Sequence, residues 1–299
     1  MVTAKMEPMI SQTFSLPNGR QLGYAQVGEG RAVVYFHGTA SSRLEILLLE
    51  KFAGENGFRL IGIDRPGYGL STFSKMPRLR DFAADVNTLA EHLELGSFAV
   101  LSWSGGGPFA LTYTALNPDR VTHAVTVASP NLPFDPSAAH NNNPLAKTAM
   151  KTPFLAKWAL GMFRRSVLNA DRDIDAYLKS RGGKSMVSDW PAPDARFFSD
   201  PKWLKLLYGA MAEGFRNPKS VDAVYQEHRL FMDPWREPIG RIPAGKLTLW
   251  QGAQDKTCPV SSGRKIAQAI KGSQLEVFKD EGHCVLFAKP NRLAVSLKS

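Results

Sequence analysis

Between residues 32 and 128, short apolar runs alternate with stretches of helical spacing, and this alternation restricts the chain to few architectures. Ala32-Val33-Val34-Tyr35-Phe36, Leu60-Ile61-Gly62-Ile63, Phe98-Ala99-Val100-Leu101 and Val125-Thr126-Val127-Ala128 read as strands, with helices expected over Arg80 to Leu95 and Gly106 to Leu116. Strands separated by helices argue for a mostly parallel sheet wrapped on both faces. Ahead of them, Gln12-Thr13-Phe14-Ser15-Leu16 and Leu22-Gly23-Tyr24-Ala25-Gln26-Val27 flank Pro17-Asn18-Gly19 and read as an antiparallel hairpin edge. The pattern changes between about Pro133 and Pro238, where aromatic and basic residues fall in short helical lengths broken by Pro144, Pro153, Pro191, Pro193, Pro201 and Pro218, without strand-like alternation. With 299 residues, the chain is long for one ordinary domain and suits a large α/β core, 1–132 and 238–299, carrying a helical cap inserted over 133–237.

The sharpest local signal is Ser102-Trp103-Ser104-Gly105-Gly106, which follows the Phe98–Leu101 run and leads into Pro108-Phe109-Ala110-Leu111-Thr112-Tyr113. That is a strand, a tight turn and a helix with a serine at the tip. A turn this tight needs small residues two positions before and after its tip, and Ser102 and Gly106 meet that demand. The segment resembles the nucleophile elbow of the α/β-hydrolase family, with serine in place of the usual first glycine.

A serine hydroxyl is a poor nucleophile at neutral pH, so the resemblance requires a histidine base and an orienting carboxylate, in the chain order serine, acid, histidine. Asp255 follows the apolar run Leu247-Thr248-Leu249, and His283 follows Leu275-Glu276-Val277-Phe278, each just beyond an expected strand. The family's triad maps onto Ser104, Asp255 and His283. Asp135, beyond the Val125–Ala128 run, is the rival for the acid. The Ala32–Phe36 run ends in His37-Gly38-Thr39, which resembles the family's oxyanion loop and implies that the backbone N–H groups of Thr39 and Gly105 receive the oxyanion. His37 is expected to be structural, its ring bonded to nearby backbone. Asp64-Arg65-Pro66-Gly67-Tyr68-Gly69 matches the family's next strand and loop.

The family implies a mostly parallel eight-stranded sheet with an inserted helical cap over the serine. It also implies a serine hydrolase, carboxylesterase-like, that cleaves a small, largely apolar ester through an acyl-enzyme without metal or cofactor. Thioesterase, lactonase, amidase and carbon–carbon bond hydrolase chemistry use the same triad, and a ligand receptor on a hydrolase scaffold is the alternative outside enzymology. A serine nucleophile disfavours the dehalogenase and epoxide hydrolase branches, whose elbows carry aspartate. Large apolar side chains of the cap, Trp158 and Phe163 among them, together with Trp103 of the elbow, are expected to line the acyl site. Most cap aromatics are expected to form the cap's own core.

Gly105-Gly106-Gly107-Pro108-Phe109-Ala110 also fits a G-x-G-x-x-A dinucleotide fingerprint. Ser129 and Pro130 stand where that reading needs an acidic residue after the next strand, and it leaves the Asp255 and His283 segments unexplained. The formal net charge of +10 raises the question of nucleic acid, but the excess is spread, with no basic run longer than Arg164-Arg165, so specific nucleic-acid recognition is not expected. Met1 to Ile10 lacks an apolar signal core and the longest plain aliphatic run, Ile46-Leu47-Leu48-Leu49, is far short of a membrane span, so a cytoplasmic protein is expected. Two cysteines, Cys258 and Cys284, fit a reducing compartment and are expected to be buried structural thiols near the site.

Overall fold

The structure, a computed structural model, describes residues 9–134, 152–180, 183–184 and 190–298. Its centre is one sheet of β1 (Met9–Ser15), β2 (Gln21–Val27), β3 (Arg31–Phe36), β4 (Phe58–Ile63), β5 (Phe98–Trp103), β6 (Val121–Val127), β7 (Leu247–Gly252) and β8 (Gln274–Phe278), ordered β1-β2-β4-β3-β5-β6-β7-β8. The first two strands form the expected hairpin and join β4 antiparallel, and every pair from β4 to β8 is parallel. A parallel sheet is stable only when both faces are covered, and β5 is buried at all six positions. Side chains alternate between two cores. Val33, Tyr35, Ala99 and Leu101 enter one, Val34, Phe36, Phe98 and Val100 the other.

Helices α1 (Glu50–Asn56), α2 (Arg80–His92) and α3 (Gly107–Leu116) link the strands up to β6. The second ends short of its expected Leu95 because Glu94, at φ +52°, turns the chain out of the helix. The third starts one residue later than expected because Ser104–Gly106 form a single 3₁₀ turn first. It is apolar all round and buried from Gly107 to Ala115, as a helix packed beneath the sheet must be.

Between β6 and β7 lies a helical insertion, comprising α4 (Pro153–Arg172), α5 (Ile174–Lys179), α6 (Ala192–Phe197), α7 (Pro201–Arg216) and α8 (Ser220–Met232). It is fastened to the core through α7. Ser42 Oγ donates to Ala210 O at 2.7 Å, and Gly214 sits so near Ser41 that a Cβ there would meet the Ser41 carbonyl oxygen at 2.2 Å. Beneath that contact the buried Arg43 guanidinium bridges Asp64 and Glu213, each at 2.8 Å. After β7 come α9 (Val260–Ala269), α10 (Val285–Ala288) and α11 (Pro290–Lys298). No helix among the described residues is long and apolar enough to cross a membrane.

Candidate active site

Parallel pairing places the carboxyl ends of β3, β5, β7 and β8 on one edge of the sheet, where loops from a doubly covered sheet form sites. Phe36 pairs with Ser102, so the residues following β3 lie beside the turn following β5. At that turn Ser104 adopts φ +52°, a left-handed conformation that a residue with a side chain takes only when its surroundings impose it. The surroundings are the crossing of the turn over β3. A Cβ on Gly106 would stand 2.0 Å from Phe36 O, and one on Gly105 would stand 2.0 Å from Thr39 Oγ1 and 3.0 Å from Thr39 N. Only glycine passes there, and the passage packs Gly105 closely against Thr39 beside the serine.

The serine hydroxyl meets His283 Nε2 at 3.0 Å, and His283 Nδ1 meets Asp255 Oδ2 at 2.8 Å. Because the carboxylate can only accept, Nδ1 carries the proton and the Nε2 lone pair faces the serine O–H. The Asp255 side chain is fully buried, and its other oxygen accepts from Thr257 N at 2.7 Å and Cys258 N at 2.8 Å, which fixes its plane. The histidine loop is gripped equally closely. Trp103 Nε1 donates to His283 O at 2.8 Å, and the two rings lie 5.1 Å apart. Asp194, from α6 of the insertion, accepts from His283 N at 3.0 Å and from Cys284 N at 2.8 Å. Burial alone would lower the His283 pKa, but the charge and hydrogen bond of Asp255, joined by the charges of Asp194 and Glu45, outweigh it and leave the pKa raised.

On the other side of Ser104 the loop His37-Gly38-Thr39 is bound at every residue. Glu45 Oε1 accepts from Gly38 N at 2.9 Å and from Tyr35 OH at 2.6 Å. Arg65, fully buried, donates to His37 O at 2.5 Å and Gly38 O at 3.0 Å, and its remaining donors engage Glu227 at 2.9 and 3.1 Å. Glu227, from α8, also accepts from Tyr68 OH at 2.9 Å and Thr39 Oγ1 at 2.7 Å. Burial, seconded by the Arg65 charge, holds the His37 pKa well below its ordinary value. The ring is therefore neutral, its Nδ1–H donating to Gly38 O at 2.8 Å, which is the structural duty expected of it.

The structure thus brings Ser104, Asp255, His283, Thr39, Gly105 and Trp103 to one place. Trp158 and Phe163 stand on α4 at 62 % and 42 % exposure, the Phe163 ring edge-on to Phe215. Asp135 lies outside the described residues. Cys258 and Cys284 are both buried and unpaired, and burial, seconded by Asp255 and Asp194 respectively, raises both thiols well above the ordinary value. Sequence reasoning missed Glu45, Asp194 and Glu227, and it quoted Arg65 without assigning it a duty. The sequence signal for Arg65 was its place in the loop after β4. The two insertion carboxylates carry no motif.

Residues 31–290 match the family model described as alpha/beta hydrolase fold. A proline iminopeptidase of Arabidopsis thaliana is 30% identical over an alignment 308 positions long, gaps included, covering 94% of this chain and 76% of that one. Among solved structures, an alpha/beta hydrolase fold protein from Nakamurella multipartita agrees with TM-score 0.68 at 22% identity, over 96% of this chain and 99% of that one. An esterase from Exiguobacterium antarcticum agrees with TM-score 0.60 at 20% identity, over 96% and 98%.

Proposed function

Because the chain belongs to the alpha/beta hydrolase fold family, we propose that it is a serine hydrolase that cleaves a carboxylic ester of a small, largely apolar substrate. The observation that carries the reading is the aligned Ser104, His283 and Asp255, at 3.0 and 2.8 Å, with the serine on a strained backbone. In this reading Ser104 Oγ attacks the acyl carbon while its proton passes to His283 Nε2. The developing oxyanion is received by Thr39 N–H and Gly105 N–H, and Asp255 holds the tautomer and stabilises the imidazolium. The alcohol leaves with the proton from His283. A water that gives its proton to His283 then attacks the acyl-enzyme, and the acid departs as Ser104 regains the proton. Each oxyanion donor is worth about 2.7–4 kcal/mol of barrier.

The apolar preference draws support from the aromatic cluster beside the base, where Trp103 meets Phe287 at 5.0 Å and Phe287 meets Phe197 of the insertion at 5.8 Å. Trp158 and Phe163, open to solvent, carry no part of this reading. We take 133–237 as the cap and the remainder as the core, with Asp194 bonded to the amide of His283 and Phe197 stacked on Phe287.

The test is turnover of a p-nitrophenyl ester series from acetate to long chains, with organophosphonate labelling of wild type and Ser104→Ala. Ester turnover and labelling, both lost in the variant, are expected. Labelling at another residue overturns the assignment. A second reading, an iminopeptidase acting at proline, is favoured by the Arabidopsis relative, which spans nearly the whole chain. It predicts faster release from proline p-nitroanilide than from any ester of the series. Stoichiometric labelling with negligible turnover of all these substrates moves the assignment to thioesters, lactones, carbon–carbon bonds or a receptor role.

A further inference from the structure

The proposed reaction gives no duty to two buried carboxylates of the insertion that reach the loops around Ser104. Asp194, 4 % exposed, spans two consecutive amides of the histidine loop. The fit is close, since a Cβ on Gly282 would lie 2.3 Å from its Oδ2. Glu227, fully buried, spans the opposite side of the serine and ties Thr39 Oγ1 to Arg65, which in turn grips the carbonyls of His37 and Gly38. A buried carboxylate is tolerated only where donors meet it: for Asp194 they are two amides of the histidine loop, and for Glu227 they are Thr39 of the loop after β3 with Arg65 and Tyr68 of the loop after β4. The insertion therefore reaches past the sheet edge with one acidic side chain on each side of the nucleophile.

Resting on the hydrolase reading above, we infer that Asp194 and Glu227 are positioning residues through which the insertion sets the placement of the imidazole against the oxyanion donors. The cap is then part of the frame of the site, and shifting it loosens both loops together. The charges that face His283 are Asp255 from the loop after β7, Asp194 from α6 and Glu45 from the segment before α1, so removing the Asp194 charge leaves two of the three in place.

The experiment uses the full chain and three variants, Asp194→Asn, Glu227→Gln and Thr39→Val. The last removes the hydroxyl while leaving the buried Arg65 and Glu227 pair intact, so it tests the tie even where Glu227→Gln does not fold. Each is followed by thermal unfolding, phosphonate labelling at Ser104, and kcat and KM for p-nitrophenyl acetate across pH. A displacement of 1 Å costs on the order of 100-fold in rate, so a tie loosened by a fraction of that is expected to lower kcat by about tenfold, with KM little changed. Asp194→Asn is also expected to move the acid limb of kcat/KM to lower pH, a shift that loss of packing alone does not produce. Folded Thr39→Val and Asp194→Asn proteins with wild-type kcat and an unmoved limb overturn the inference while leaving a labelled Ser104 and its hydrolase reading standing. A wild type that is neither labelled nor active brings down that reading and this inference with it.

Discussion

Replacing Gly106 by alanine tests the crossing of the turn over β3 most directly. The added Cβ would meet Phe36 O at 2.0 Å and His37 O at 2.8 Å, where real Cβ contacts stay beyond 3.0 Å, so the two backbones must part by about 1 Å. Neither side yields cheaply, because Phe36 is fixed by the ladder to Ser102 and the turn runs directly into the buried helix α3. Overpacking of this kind costs about 1–3 kcal/mol, which in a chain of this size lowers Tm by roughly 2–6 °C. The parting also carries Thr39 away from Ser104, and a displacement near 1 Å lowers kcat on the order of 100-fold. Thermal unfolding by circular dichroism and kcat for p-nitrophenyl acetate measure the two effects. Gly54→Ala in α1, where nothing lies within 4 Å of the new Cβ, is the matched control and is expected to gain about 0.5–1 kcal/mol. A Gly106→Ala protein that melts and turns over like wild type refutes the claim that this crossing sets the site.

Asp255→Asn is expected to leave the fold intact and to lower kcat on the order of 10⁴-fold, because an amide NH₂ facing Nδ1 imposes the wrong tautomer; a loss under tenfold assigns the acid elsewhere. In the proposed reaction His283 acts as base only when neutral, and its pKa is raised above the ordinary 6.5, so kcat/KM should rise with pH through a limb above that value, and a limb below it contradicts the electrostatics. The same shift makes protonated His283 stabilising, fully so below pH 6.5 and lost as the pH climbs through the folded value. The two thiols, buried and kept protonated, should react with Ellman's reagent only slowly in the native protein and together after guanidinium unfolding; immediate reaction of either in the native state disproves their burial.

The sheet and the serine turn were legible because their causes are local. A buried parallel strand must be apolar along its length, and a turn that presses backbone on backbone admits only glycine, so composition at Phe98–Gly106 reports both. Asp255 and His283 were legible by place, each just past a strand end. Asp194 and Glu227 were not. Nothing in the insertion's sequence separates them from its ten other acidic residues, because what distinguishes them is a donor 89 residues away for Asp194 and 162 residues away for Glu227. Trp158 and Phe163 illustrate the opposite difficulty. Their size suggested a pocket wall, yet helix position decides exposure, and α4 turns both toward solvent.

The parallel pairing of β6 with β7 spans the whole insertion, and Ser104 stands 179 residues ahead of His283, its hydrogen-bond partner. At a synthesis rate of about 5–20 residues per second, His283 follows Ser104 from the ribosome by roughly 9–36 s. Through that interval the growing chain presents an ordinary alcohol, because a serine without its imidazole is no better a nucleophile than water-exposed serines elsewhere. Chains interrupted by a stalled ribosome or a premature stop before residue 283 would thus be chemically harmless as well as incomplete. Under the proposed mechanism, reactivity toward acyl compounds arrives only when the final strands dock, so quality control by failure to finish would come with the order of the strands.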